Sequence, residues 1–295
     1  MKKTSIVHAI TEFIAGTALK KYPLLFTLGI FSLGVLANPP LASKQQIGMF
    51  KNSKTCVVLG TGSISFDMYL KDAVQKYWNA TEFEFIDQQE FDKRRFNSKY
   101  SFLVLMKAVF DKDPGGVSYN YLSLVLGDVA KNMTDMPELC SVPISYTDDN
   151  ISDYEYAIPA IVKFMQKHAR NLEFNRFMIS LKGLKYYNGK SGFKDKVLLF
   201  NKDMMASDAD SPEKIKEAYS YYVKLISPSE IKQELVASPS NALFHFHVGP
   251  NKNAGAGKCF EMIFDVEGNL YYYNSRKITN DNEDGFNLKD FKHLR

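Results

Sequence analysis

Hydrophobic and polar positions along the chain predict a β-α-β-α-β-β order of elements, and this order occurs twice. The first copy has apolar strand patterns at 56–59, 83–86, 101–110 and 118–126, and helical patterns at 65–77 and 87–96. The second copy has strand patterns at 197–200, 222–226, 242–248 and 259–266, a hairpin into 270–273, and helix starts at Ser211 and Ser227. Each copy therefore predicts a mixed sheet with packed helices.

Equal spacing between the two copies indicates an internal duplication. Val58 and Leu198 lie 140 positions apart in the first strands, and Ile86 and Ile226 keep the same distance in the second strands. We therefore expect an α/β (α+β) fold of two tandem β-α-β-α-β-β modules joined by a helical connector. Each module is expected to be a mixed sheet with helices on one face, because crossover connections pack their helices onto the sheet.

The same patterns predict how the chain is divided. The expected parts are a targeting segment at 1–37, the first module at 38–128, a connector at 129–194 and the second module at 195–295. Apolar residues at helical spacing predict one helix in the connector, at 159–171. The short apolar runs of 176–187 predict a strand.

The amino-terminal segment has the pattern of an export signal. Lys20 and Lys21 precede an uncharged apolar run at 23–37, and Pro39 and Pro40 follow it. We expect a cleaved signal peptide and an exported protein, periplasmic or secreted. The alternative is a retained membrane anchor through residues 22–37, although the run is shorter than the roughly 20 residues of a spanning helix.

The charge balance argues against a nucleic-acid-binding protein. The chain has 295 residues and a formal net charge of +4, but residues 1–37 hold four lysines and one glutamate. The remainder has 33 basic and 32 acidic residues, which is nearly neutral. A nucleic-acid partner is therefore not expected.

His245 and His247 are the sharpest candidate for chemistry. Alternate positions of a strand point to the same face, so the two imidazoles can bind one transition-metal ion, with zinc as the natural choice. Cys259 or Glu261 on the next strand is the expected third ligand.

A packing role for these histidines is the alternative. At an offset of 141 positions the first copy has Val104 and Met106 in place of the two histidines. Apolar residues at these positions favour a structural interpretation.

Two loop motifs give weaker signals. Gly60-Thr61-Gly62 follows a strand, but neither a third glycine nor a Walker lysine follows, so a tight turn is expected rather than a phosphate site. The polar run 280–285 resembles the first half of a calcium loop. Phe291 stands where the closing acid belongs, and a solvated turn is expected.

Tyrosines form the second candidate site. The chain has 22 Phe and 17 Tyr against one Trp. Five tyrosines are grouped at predicted strands or turns: Tyr186, Tyr187, Tyr271, Tyr272 and Tyr273. If exposed, such a surface suits a carbohydrate, a peptide or a partner protein. The alternative is a buried ring with a hydrated hydroxyl.

Four segments carry a resemblance to known proteins: YYVKLISPSEIKQEL, HFHVGP, CFEMIFDVEGNLYYYNSRKI and GFNLKDFKHL. They resemble uncharacterised exported proteins of Bacteroidota, most closely over residues 194–295. That family has no assigned activity, so the resemblance implies an envelope location and no catalytic residue.

The sequence therefore predicts a non-enzymatic, exported envelope or secreted protein with a binding or assembly role. The expected partner is another envelope protein, a peptide or a glycan, and membrane contact is expected only through an uncleaved amino-terminal segment. The alternative is a metal-dependent enzyme, a hydrolase, centred on His245 and His247.

Overall fold

The structure is a computed structural model and describes most of the chain beyond the amino-terminal segment. The described residues are 40–110, 117–129, 132–147, 151–237, 241–250 and 256–294, with backbone alone at 152–153. The predicted signal peptide or anchor lies outside the described residues. The described residues belong to one compact unit.

The first sheet contains five strands in the order β2-β1-β3-β4-β5. They are β1 (Lys54–Val58), β2 (Glu82–Ile86), β3 (Tyr100–Val109), β4 (Ser118–Leu126) and β5 (Glu138–Tyr146). Strand β1 pairs in parallel with β2 and β3, whereas β3, β4 and β5 pair antiparallel.

The second sheet repeats this arrangement, with the order β7-β6-β8-β9-β10. Its strands are β6 (Val197–Asn201), β7 (Val223–Ile226), β8 (Ala242–Val248), β9 (Lys258–Asp265) and β10 (Leu270–Lys277). The parallel and antiparallel pairings match those of the first sheet strand for strand. The α/β fold of two similar modules is thus confirmed.

Seven α-helices accompany the two sheets in the described part of the chain. They are α1 (Lys44–Lys51), α2 (Ile64–Tyr77), α3 (Gln88–Arg94), α4 (Ile158–Lys182), α5 (Pro212–Ala218), α6 (Pro228–Ala237) and α7 (Leu288–Lys292). The predicted caps Asp87 and Ser211 accept backbone N–H bonds at the starts of α3 and α5. Local capping chemistry therefore fixes where these two crossover helices begin.

The segment expected to be a connector contributes to the first sheet. Strand β5 lies inside 129–194 and pairs with β4. Pro143 interrupts its apolar pattern, and a proline is tolerated there because β5 is an edge strand. The sequence pattern of the first module therefore stops one strand short of its sheet.

The connector helix is longer than its pattern predicts. Helix α4 continues to Lys182, with a kink at Asn175, and a 3₁₀ turn covers Gly183–Tyr187. The strand predicted at 176–187 is therefore wrong. Its apolar residues alternate irregularly because many of them face solvent rather than a core.

Helices cover both faces of each sheet, so the expectation of helices on one face is wrong. Helices α2, α4 and α6 pack into a core shared by the inner faces of the two sheets. Helix α3 covers the outer face of the first sheet, and α5 and α7 cover that of the second. The chain reverses direction across the sheet between its first and second crossovers, and right-handed crossovers then place successive helices on opposite faces.

The two modules meet through faces that are not equivalent. The first crossover helix is on the inner side in the first module (α2) and on the outer side in the second (α5). Val104 and Met106 point to the outer side of the first sheet, and His245 and His247 point to the outer side of the second. The outer side of the first sheet is covered by α3, the second crossover helix of its module, whereas that of the second sheet is covered by α5, the first crossover helix. The offset of 141 therefore does not align topologically equivalent positions.

No helix in the described ranges combines the length and the apolar character that crossing a bilayer requires.

Candidate metal centre

Strand β8 brings the two candidate histidines to one face. His245 and His247 point to the outer side of the second sheet, and Phe244 and Phe246 point into the shared core. The imidazole centroids lie 6.1 Å apart. The alternation of a strand thus pairs the histidines as expected.

Glu261 joins the two imidazoles. It stands directly opposite His247 in the antiparallel register of β8 and β9. One carboxylate oxygen lies 2.6 Å from His245 Nε2, and the other lies 3.0 Å from His247 Nδ1. Both oxygens therefore face imidazole nitrogens.

Asp284 reaches the opposite nitrogen of His247. It comes from the polar run 280–285, which the sequence predicts as a solvated turn, and its carboxylate lies 3.3 Å from His247 Nε2. The side chain of Asp284 is only 2% exposed. The expectation of a solvated turn is therefore wrong at this residue.

A second ion pair adjoins the centre. The Arg276 guanidinium lies 3.6 Å from Glu261 and 2.8 Å from Asp290. Asp290 also accepts hydrogen bonds from Tyr272 Oη and from Asn274 Nδ2, each at 2.8 Å. These contacts hold Arg276 beside the centre.

Burial and charge set the protonation of the histidines. Burial lowers the pKa of His245, which is therefore neutral and donates from Nε2 to Glu261. Burial also disfavours a charged His247, but the carboxylates of Glu261 and Asp284 outweigh it and raise the pKa of His247 to about 10. Burial opposes ionisation of Glu261 too, yet His247 and the imidazole hydrogen bonds hold its pKa well below the ordinary range.

The geometry brings together one group that could hold a metal ion. Among the described residues, His245, His247 and Glu261 form the one set of three or more His, Cys, Asp or Glu whose donor atoms lie within 4.8 Å of one another. Cys259, the other predicted third ligand, is buried but does not belong to that set. Burial raises the pKa of the Cys259 thiol, and the nearby Glu261 adds to that effect.

The centre is closed to solvent. The side chains of His245 and Glu261 are 0% exposed, and that of His247 is 2% exposed. Two surface grooves lie along α4, and neither is lined by a residue of the centre. The arrangement can bind a cation or share a proton, and within the described residues its imidazoles are buried.

Most of the predicted tyrosine surface is buried. Tyr187, Tyr271 and Tyr272 have less than a tenth of their surface exposed, and Tyr186 and Tyr273 are half-buried. The rings fill the cores: Tyr187 packs on Phe164, and Tyr272 packs on Phe286. These five tyrosines therefore do not form an exposed surface.

Sequence reasoning missed Asp284, Arg276 and Asp290. Arg276 had a detectable signal, because it alternates with Asn274 and Tyr272 along β10 and so faces the same side. Asp284 had none, since its polar neighbours are typical of an exposed turn. Its burial depends on contacts between segments far apart in the chain.

Comparisons with protein-family models, with curated proteins and with solved structures find no match to this chain.

Proposed function

We propose that this chain is a non-enzymatic exported protein with a binding or assembly role in the cell envelope, and that its second module is locked by a structural zinc ion. His245, His247 and Glu261 are the proposed ligands. The burial of the centre supports this proposal over a hydrolase, because a catalytic zinc keeps a coordination position open to substrate. The proposed partner is another envelope protein, a peptide or a glycan.

The charge of the centre favours a divalent cation. With both imidazoles neutral, the linked groups are three carboxylates (Glu261, Asp284 and Asp290) and one guanidinium (Arg276), a formal charge of −2. Protonation of His247 removes half of this charge, whereas a divalent ion compensates all of it. Buried charge is costly unless it is compensated, so the centre with a bound divalent ion is more stable than the centre with a protonated His247.

The donor atoms suit zinc. His245 Nε2, His247 Nδ1 and the Glu261 carboxylate supply nitrogen and oxygen donors of the kind that zinc prefers. Asp284 then accepts from His247 Nε2, as carboxylates do behind zinc-bound imidazoles. Zinc would displace the Nδ1 proton of His247 and would require the His245 proton to move from Nε2 to Nδ1, so binding is coupled to pH.

Cobalt substitution tests whether the centre is closed or catalytic. We expect the cobalt-loaded protein to show the visible bands of a four-coordinate site, unchanged by excess azide, because no position is open. A spectrum that shifts with azide would support a catalytic site instead. A Glu267→Gln variant is the matched control, since this carboxylate lies on an exposed turn.

A further inference from the structure

The second half of α4 presents an apolar stripe to solvent. Phe174, Phe177, Met178 and Leu181 recur at helical spacing and are 81%, 77%, 37% and 70% exposed. Ile179 between them points inward and is buried. Large apolar side chains grouped in this manner mark an interaction surface.

The segment that carries the stripe is basic, and Glu173, which directly precedes it, is paired with Lys51. Residues 174–194 include no acidic residue and five basic ones: Arg176, Lys182, Lys185, Lys190 and Lys194. Lys182 and Lys185 directly follow the stripe and are exposed. Phenylalanine and leucine beside lysines suit the boundary between anionic headgroups and acyl chains. The same charge opposes pairing of this face with a second copy of itself.

The stripe lies near Leu41 and Ala42, which follow the predicted export signal in the sequence. The Arg176 guanidinium donates to the carbonyls of Ala42 and Leu41, at 2.7 and 3.3 Å. In the sequence, the apolar run 23–37 ends only a few residues before Leu41. A chain that is still attached to the membrane through this run would enter the described structure beside the stripe.

We propose that the second half of α4 is a docking surface for an anionic phospholipid membrane. The apolar stripe enters the headgroup boundary, and Lys182 and Lys185 bind lipid phosphates. Sequence alone predicts membrane contact only through the amino-terminal segment, and this surface adds a second contact. The proposal does not depend on the metal centre, so each can fail separately.

Local fluorescence quenching tests this contact in the full chain, whatever the amino-terminal segment does. A Phe177→Trp variant is mixed with brominated phosphatidylcholine vesicles, with or without phosphatidylglycerol. Ile64→Trp is the matched control, because Ile64 is 81% exposed on α2, and the native Trp78 is buried in both proteins. We expect quenching of the variant to exceed that of the control by about twofold, and only with phosphatidylglycerol.

Charge reversal provides the second arm. The Phe177→Trp protein that also carries Lys182→Glu and Lys185→Glu should need about tenfold more anionic lipid for half-maximal quenching. Equal quenching of variant and control, or quenching independent of phosphatidylglycerol, would overturn the proposal. A concentration-dependent blue shift of Phe177→Trp without vesicles would overturn it too, because the stripe would then pair with another copy.

Discussion

The Asp284 carboxylate packs directly against the Cα atom of Gly249. A methyl group on that carbon would lie 2.8 Å from Asp284 Cγ, too close for the side chain to remain where it meets His247. The end of β8 and the loop before α7 are thereby joined at one point, next to the histidines.

A Gly249→Ala variant should therefore lose the His247–Asp284 contact. We expect the free energy of unfolding to fall by about 1–3 kcal/mol, because a methyl group in a packed core forces its neighbours apart. Urea unfolding measures the change. Gly48→Ala is the control: its added methyl group meets nothing within 4 Å, and alanine favours α1, so stability should rise slightly. A Gly249→Ala protein as stable as the wild type would contradict the contact.

Removing the charge of Glu261 should weaken the metal-free protein as well. Glu261→Gln keeps the shape of the side chain but leaves His247 with one charged partner instead of two. We expect a loss of about 3 kcal/mol in urea unfolding with a chelator present, the usual cost of breaking a buried pair. The imidazole pKa of His247, followed by nitrogen NMR, should fall. An unchanged imidazole pKa would show that Glu261 does not govern the protonation of His247.

The metal-free protein should lose stability as the pH rises. The folded-state pKa of His247, about 10, lies above the unfolded value of 6.5, so the contribution of its proton is complete below pH 6.5 and is lost as pH approaches 10. Between pH 7 and 8.5 we expect the free energy of unfolding of the metal-free protein to fall by about 2 kcal/mol. His247→Asn should show no such drop, and zinc-loaded wild type should not either, since the metal replaces the proton. A flat profile for the metal-free wild type would contradict the charged imidazole.

Acid should destabilise the connector through His168. This side chain is buried, its Nδ1 lies 2.9 Å from the Tyr187 hydroxyl, and burial lowers its pKa to about 4. The unfolded chain takes up a proton below about pH 6.5 that the folded chain refuses, so stability falls as pH drops from there to about 4. Between pH 6.5 and 5, the free energy of unfolding of His168→Gln should fall by about 2 kcal/mol less than that of the wild type. Equal losses in the two proteins would exclude His168 as a source of acid sensitivity.

Most of the fold follows from local pattern, because most elements here carry their own signals. Asp87 and Ser211 mark helix starts through their caps, and the apolar alternation of β8 marks both a strand and the face that the histidines share. Pro143 makes β5 hard to predict, because proline is excluded from central strands but tolerated in an edge strand such as β5. The end of α4 has apolar residues that no core covers, so their spacing does not reveal a helix.

The candidate centre, like the fold, can be predicted only in part from the sequence. Strand alternation places His245 and His247 together, and the hairpin order places Glu261 within reach as one of two predicted ligands. Whether Glu261 or Cys259 lies opposite the histidines depends on the register between β8 and β9. The two residues are two positions apart on the same face of β9, and the sequence does not decide between them. Asp284 comes from a loop that packs against Gly249, and no local sequence pattern reveals this contact.

Elemental analysis of the purified protein, repeated after dialysis against zinc, tests the central claim most directly. We predict one zinc ion per wild-type chain and a rise in melting temperature on loading, with both lost in Glu261→Gln and kept in Glu267→Gln. A wild-type chain that holds no stoichiometric zinc after dialysis would contradict the account. The centre would then be a buried proton-sharing network.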